Sequence, residues 1–429
     1  MAETQNNEWS NQGTGSVPPI IDTAQPSSPH KPNPKPGFIR KLLTILLSLC
    51  LGLFLVDAAF SLIDDSLILF FGLHSLSNLR GLTSFFAFLM TVGIYVVMGL
   101  TPMVPKRLFL PIPLFSLATM LAAFPFAIYC FNRIPQVAVG FSACQVVLGL
   151  LILNCSQGGL KIRWPLVPEN RLGIRRFSWG NIFGFVLLNI FVLVPLVAPY
   201  LFLCASLAVD HYTAGFMALH PGGFTVEVRK YVRKDGKTIE LFPMSHVADA
   251  GFYQQVSRTF PTNSIILTEG VTDVKNLLTN KLSYQRLANS LGLSEQKVKF
   301  KPIRGELVRA DVDVDQFSPG TIDILNLFAL THAKGLNRET IQPLIHFSPS
   351  PQTLNQLFDD ILRKRNQHLV EEIQSHLLLS DNIMVPWGVA HMPGIAKAIL
   401  KMGFHLDETH KYTVIRFHIM GNQAKSTNP

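Results

Sequence analysis

Two unlike parts are predicted in one chain: a multi-span α-helical membrane region, then an α/β (α+β) layered soluble domain. Three observations carry that reading. A mean hydropathy of +0.29, with 48% hydrophobic and 15% charged residues over 429 positions, is too apolar for a single soluble globule. The excess lies before residue 210, in five apolar runs that each approach the roughly 20 residues a bilayer-spanning helix needs. Beyond them, stretches with strand and helix patterning alternate, as in a layered α/β domain.

The elements follow in order. Residues 1–37 are rich in Asn, Gln, Thr, Ser, Gly and Pro, a composition that cannot offset the entropy of ordering, so a disordered cytoplasmic tail is expected. Spans are expected at Leu42–Ile63, Leu82–Val104, Leu108–Cys130, Gln136–Cys155 and Ile182–Ala208, making 38–208 the membrane region. Prolines 111, 113, 125, 195 and 199 fall within or beside spans, where kinks are expected. Asp57 is expected near the outer end of the first span, reaching the interface. Eleven basic residues (Lys31, Lys35, Arg40, Lys41, Lys106, Arg107, Lys161, Arg163, Arg171, Arg175 and Arg176) fall on one side of the spans, against Arg80 and Arg133 on the other. Basic loops stay cytoplasmic, so the N-terminus is expected inside and residues 209–429 outside, in the periplasm if the source is a Gram-negative bacterium. No cleavable signal peptide is apparent. The inner basic loops suit an anionic leaflet of the lipid bilayer. The formal net charge of +9 is shared between both halves with no basic stripe interleaved with aromatics, so no nucleic-acid partner is expected.

In the soluble part, Phe224–Val232 and Thr238–Phe242 read as a hairpin around Lys234-Asp-Gly-Lys237. A helix from Asp249 to Phe260, a strand Ser264–Thr268, helices at about Asp273–Leu291 and near Ser294, and a strand Leu307–Val314 come next. Helices Ser318–Ala333, Arg338–His346 and Gln352–Leu379, the strand Ile383–Trp387, the helix Pro393–Met402 and a last strand Tyr412–His418 complete the domain.

Candidate chemistry gathers at strand ends. Leu241-Phe-Pro-Met-Ser-His246 and Val385-Pro-Trp-Gly-Val-Ala-His391 each close an apolar run with a histidine just before a helical pattern. A helix N-terminus opposes imidazole protonation, so both histidines are expected neutral, able to ligate a metal or accept a proton. Glu269 ends an apolar strand, at the carboxyl edge where ligands of α/β sheets bind. Asp311, Asp313 and Asp315 recur every second residue; they form either a solvated edge or a row whose first member, beside Arg309, faces the site. That run fails as a calcium loop, with Gln316 and Ile322 where glycine and glutamate belong. All five cysteines precede residue 205, which excludes disulfides and thiolate chemistry from the domain. No His-Glu-x-x-His, Gly-x-Ser-x-Gly or glycine-rich phosphate loop occurs.

On His246, Thr268-Glu269-Gly270 and Pro386-Trp-Gly-Val-Ala-His-Met-Pro-Gly394, the region 224–418 resembles the TraB/PrgY/GumN group, which includes the Tiki proteins. That group carries two Gly-x-x-His motifs with a glutamate between them. Gly388-Val-Ala-His391 matches the second; Pro243-Met-Ser-His246 keeps the histidine of the first without its glycine, and Lys275 stands where relatives often have arginine. The resemblance implies a membrane-anchored metal-dependent hydrolase acting on a peptide or protein outside the cytoplasm. His246, Glu269 and His391 would be both catalytic residues and ligands of a divalent metal (Mn, Co or Zn), supported by Arg309, Asp311 and Gly388. The alternative is a non-catalytic extracytoplasmic sensing or binding domain of the same fold. A transporter is disfavoured by the scarcity of polar groups in the spans.

Overall fold

A computed structural model describes residues 37–279, 284–335, 337–347 and 349–417. The predicted N-terminal tail and the end of the last strand at His418 lie outside the described residues.

Five long apolar helices occupy the first half: Phe38–Phe71, Ser77–Leu100, Lys106–Tyr129, Phe131–Gln157 and Trp179–Tyr212. Three of them cover their predicted spans whole; the second starts five residues earlier and stops at Leu100, four short of the predicted Val104, and the third stops one residue short of Cys130. At about 1.5 Å per residue, the first is roughly 51 Å long and overshoots a hydrocarbon core of about 30 Å. The prolines act as their chemistry requires. Pro195 has no N–H for the carbonyl one turn earlier, and the helix ahead of it widens into a π-turn at Asn189–Leu193. The bundle core packs Leu47, Leu51 and Phe54 of the first helix against Ile94, Met98, Ile152 and Leu153.

Asp57 departs from expectation. It does not reach the interface but is 7% exposed inside the bundle, accepting hydrogen bonds from Ser84 Oγ (2.6 Å) and Gln145 Nε2 (2.9 Å). Two turns further on, Asp64 and Asp65 are buried too and face Arg80 and Ser77 of the second helix and Ser142 of the fourth. The spans therefore enclose more polar chemistry than their hydropathy suggests, because these carboxylates answer one another's neighbours across helices.

The last span leads directly into a seven-stranded mixed sheet, ordered β1 (Met217–His220), β2 (Gly223–Val232), β3 (Thr238–Met244), β8 (Asn382–Gly388), β5 (Ile265–Thr268) and β7 (Glu306–Arg309), with β9 (His405–Arg416) antiparallel to β2, while β4 (Val247–Ala248) and β6 (Ser294–Glu295) form a separate antiparallel pair. β3, β8, β5 and β7 are mutually parallel. Period-two alternation sends Ile383, Val385 and Trp387 to one face, onto Leu369, Ile373, Ile395 and Ile399 of the helices Arg365–His376 and Met392–Lys401. Met384, between them, points to the other face and the helix Ala250–Thr259. Both faces of β8 are covered, which is why it reads as one continuous apolar run.

Several elements are corrected. Residues 210–223, ahead of the predicted hairpin, contain β1, and the last strand begins at His405, since β9 pairs along the whole of β2. The predicted strand Leu307–Val314 stops at Arg309. Beyond it the carboxylates of Asp311 and Asp313 take the N–H groups of Gly270 and Val274, so the chain follows loop geometry instead of a ladder. The expected helix at 273–291 is helical only at Gln285–Ser290; residues 280–283 lie outside the described set. Asp273 instead accepts from the N–H groups of Leu277 and Leu278.

Candidate functional site

Because β3, β8, β5 and β7 are parallel, their carboxyl ends share one edge, and every predicted site residue lies at or just past one of those ends. Pro243 pairs with Trp387 and Met244 with Gly388, so the segments leading to His246 and His391 leave the sheet side by side. Glu269 follows Thr268 of β5, and Asp311 lies two residues past β7.

A residue absent from the sequence reading organises the centre. Arg365, 8% exposed, enters from the start of the helix Arg365–His376 and forms a two-pronged pair with Asp311: Nε donates to Oδ1 at 2.9 Å and Nη2 to Oδ2 at 2.6 Å. Nη2 also donates to Glu269 Oε1 at 2.8 Å. Nη1 lies 3.2 Å from His391 Nε2 and 3.4 Å from the Ile361 carbonyl. A guanidinium has five N–H donors, and these five acceptors use them all. Its flat face lies over Trp387, with Cζ 5.4 Å from the ring centre. A sequence signal for Arg365 did exist: with Leu369, Ile373 and Leu377, all buried, it forms an i, i+4, i+8, i+12 series on the apolar stripe of its helix. The adjacent Arg363 and Lys364 point elsewhere, pairing with Asp359 and Asp360.

His391 is 4% exposed. Arginine can only donate, so Nε2 carries the lone pair and Nδ1 the proton, donated to Asn366 Oδ1 at 2.7 Å. Burial, and then the positive charge of Arg365, push its pKa from 6.5 down to about 4. A neutral imidazole is expected here from the helix start; at His391 the leading cause is desolvation. Glu269 is held from both sides, Oε1 by Arg365 and Oε2 by the Gly388 N–H at 2.5 Å. Gly388 has a steric reason to be glycine, because a Cβ there would press on that carboxylate at 3.1 Å.

The other candidates divide. Asp311 faces the site, which decides between the two readings of the aspartate row; Asp313 accepts from Thr272 and Val274, and Asp315 pairs with Lys275 at 3.2 Å. Lys275 is thus engaged with Asp315, and the positive charge of the centre comes from Arg365. Arg309 is exposed on β7. His246 is also exposed, with its ring stacked on Tyr284 (4.8 Å between centres, 13° between planes) and a two-residue strand, Val247–Ala248, before the next helix.

Glu269 Oε1 and His391 Nε2 are 3.6 Å apart, close enough to share an ion. As arranged, however, Arg365 covers the His391 lone pair and one Glu269 oxygen while Gly388 takes the other, and among the described residues no group of three or more His, Cys, Asp or Glu side chains is placed to hold a metal. The implied divalent metal does not fit this arrangement. Comparison of the chain with family models, with curated proteins and with solved structures finds no match.

Proposed function

We propose that this chain is a membrane-anchored receptor: its C-terminal domain binds a peptide or protein at the carboxyl edge of the parallel strands, without catalysing hydrolysis. The observation that carries this reading is the saturation of Arg365. Activation of water needs a free lone pair of suitable basicity, and the one on His391 is spent on a guanidinium N–H. Charge indicates the ligand chemistry. Glu269 and Asp311 bring two negative charges against one on Arg365, with His391 neutral, so the centre keeps a net charge of −1 that favours a lysine side chain or a free peptide amine. The exposed His246, stacked on the half-buried Tyr284, supplies an aromatic wall on the same edge. With the excess of basic residues at the opposite end of the spans, the positive-inside rule supports an extracytoplasmic site.

A second reading, the divalent-metal hydrolase implied by the resemblance to the TraB/PrgY/GumN group, is favoured by one distance, the 3.6 Å between Glu269 and His391. It requires Arg365 to withdraw. One experiment separates the two. Full-length protein in micelles, as wild type and as Glu269→Gln, is offered lysine-rich and glutamate-rich peptides with and without Mn²⁺, Co²⁺ or Zn²⁺, and both binding and cleavage are followed. The receptor reading expects binding of the lysine-rich peptide, weakened in Glu269→Gln, with no cleavage. Metal-dependent cleavage lost in Glu269→Gln would establish the hydrolase instead.

A further inference from the structure

At the end of the bundle away from the domain, a cleft of about 750 Å³ opens between spans, lined by Pro102, Val104, Lys106, Arg107, Cys155, Arg171 and Asn181 among others. It belongs to neither the domain site nor the polar cluster around Asp57. Its walls are fixed. The loop 158–178 is pinned by Ser156 Oγ donating to the Leu166 carbonyl (2.9 Å), the Val167 N–H donating to Ser48 Oγ (3.0 Å), and the Gly173 N–H donating to the Met103 carbonyl (2.8 Å). A Cβ on Gly173 would sit 2.8 Å from the Pro102 carbonyl, so the loop presses directly against the wall of the cleft.

Its chemistry is one-sided. No acidic residue lines the cleft, and Glu169 is the sole carboxylate between Asp65 and Asp210 in the sequence. Among the described residues, Lys106, Arg107 and Arg171 form no ion pair. Lys106 donates to Asn181 Oδ1 and Arg171 Nε to the Ser156 carbonyl at 3.0 Å, both neutral partners. The Arg107 side chain is exposed and, among the described residues, has no hydrogen-bond partner. The surroundings are apolar and outward-facing: Ile162, Trp164, Ile174, Phe177 and Trp179 are all more than half exposed. Tryptophans flanked by arginine and lysine mark the headgroup level of a bilayer, and an unpaired cationic cleft at that depth suits an anionic headgroup.

We propose that this cleft is a binding site for an anionic phospholipid, with the headgroup phosphate held by Lys106, Arg107 and Arg171 and the acyl chains lying along the spans beside Leu108 and Cys155. Free phosphate shares the headgroup chemistry but cannot use the apolar rim, which is why a lipid is the occupant.

The test uses the full-length chain purified in zwitterionic detergent. Phosphatidylglycerol, phosphatidylcholine of the same acyl chains and inorganic phosphate are titrated separately, with the unfolding temperature and lipid retention in native mass spectra as readouts. Phosphatidylglycerol is expected to raise the unfolding temperature and to be retained; the other two are not. Arg107→Ala should weaken the apparent affinity about fivefold and Arg107→Glu further, with Arg107→Lys near wild type. Among the described residues Arg107 has no side-chain partner to lose, so these variants keep their fold. Arg133→Ala, at the opposite end of the bundle, is the control and should match wild type. The proposal is overturned if Arg107→Glu retains phosphatidylglycerol undiminished, if phosphatidylcholine does as well, or if inorganic phosphate alone gives the same stabilisation.

Discussion

Two arginines in this protein each face a pair of carboxylates, Arg80 with Asp64 and Asp65 in the bundle, and Arg365 with Glu269 and Asp311 in the domain. They are held on different terms. Asp64 and Asp65 are consecutive on one helix and Arg80 follows after a short turn, so one helical hairpin builds most of the first group. The second is collected from the ends of β5, β7 and β8 and a helix start, across more than a hundred residues. The Arg80 side chain remains 31% exposed at the domain end of the spans, whereas that of Arg365 is 9% exposed and every donor is spent. Proximity in sequence makes a pair cheap to form and tolerant; a centre assembled from distant elements is rigid only because each member is over-determined.

The largest expected effect tests that contrast directly. Arg365→Met strands Asp311 and Glu269 as buried charges without a counterion, and unfolding of the full chain should cost about 3–5 kcal/mol less than in wild type. Arg365→Lys should recover little, because a single ammonium cannot reproduce the two-pronged pair with Asp311. Arg80→Met should cost only about 1–2 kcal/mol, since the Arg80 side chain is 31% exposed and Ser77 and Ser142 still donate to the carboxylates. Equal losses from the two variants, measured by denaturant titration in the same micelles, would break the comparison.

A comparable effect is expected from pH at the domain site. His391 is neutral when folded, with its pKa near 4 instead of 6.5. Between those values the unfolded chain binds a proton that the folded one refuses, so stability falls as pH drops from 6.5 to 4 and changes no further below that. At 1.36 kcal/mol per unit of pKa, the loss amounts to about 3 kcal/mol. Denaturant titrations of wild type and His391→Gln at pH 6.5, 5 and 4 isolate this contribution as the difference between the two curves. Parallel curves would mean that His391 titrates normally.

How much of this was legible follows the same division. The spans, the layered domain and the edge that gathers His246, Glu269, Asp311 and His391 were readable, because burial writes itself as apolar periodicity and parallel strands place their ends together. Arg365 and Asn366 were not picked out, for they lie in a basic, polar stretch whose meaning depends on which helix face meets the sheet. Asp57 was placed wrongly because hydropathy records what a helix exposes on average and carries no information about Ser84 and Gln145 on two other helices. The metal expectation rested on donor types, their place at strand ends and the family resemblance; an arginine delivered from another element changes what those donors face.

A smaller effect sharpens the role of Asn366. A Cβ on Gly394 would lie 2.6 Å from Asn366 Nδ2, so Gly394→Ala should push the amide off His391 Nδ1. Alanine gains up to about 1 kcal/mol of helix propensity over glycine, offsetting strain of about the same size, and stability should move by less than about 1 kcal/mol. The imidazole tautomer, read by nitrogen NMR, should nonetheless become mixed. An unchanged Nδ1–H signal would show that Arg365 alone fixes the ring.

The smallest effect belongs to the far end of the aspartate row. Asp311, Asp313 and Asp315 sit two residues apart yet differ in environment: the first is buried against Arg365, the second holds loop N–H groups, and the third meets Lys275 with side chains 34% and 66% exposed. An exposed pair gains little, because water screens it and two side chains must be held still. Asp315→Asn should therefore shift stability by less than about 0.5 kcal/mol, while Asp311→Asn removes one charge from the two-pronged pair and should cost several times more. A large effect at Asp315 would mean that the loop after β7 transmits strain to Arg365, and the rigidity of the domain site would then extend beyond the residues that touch it.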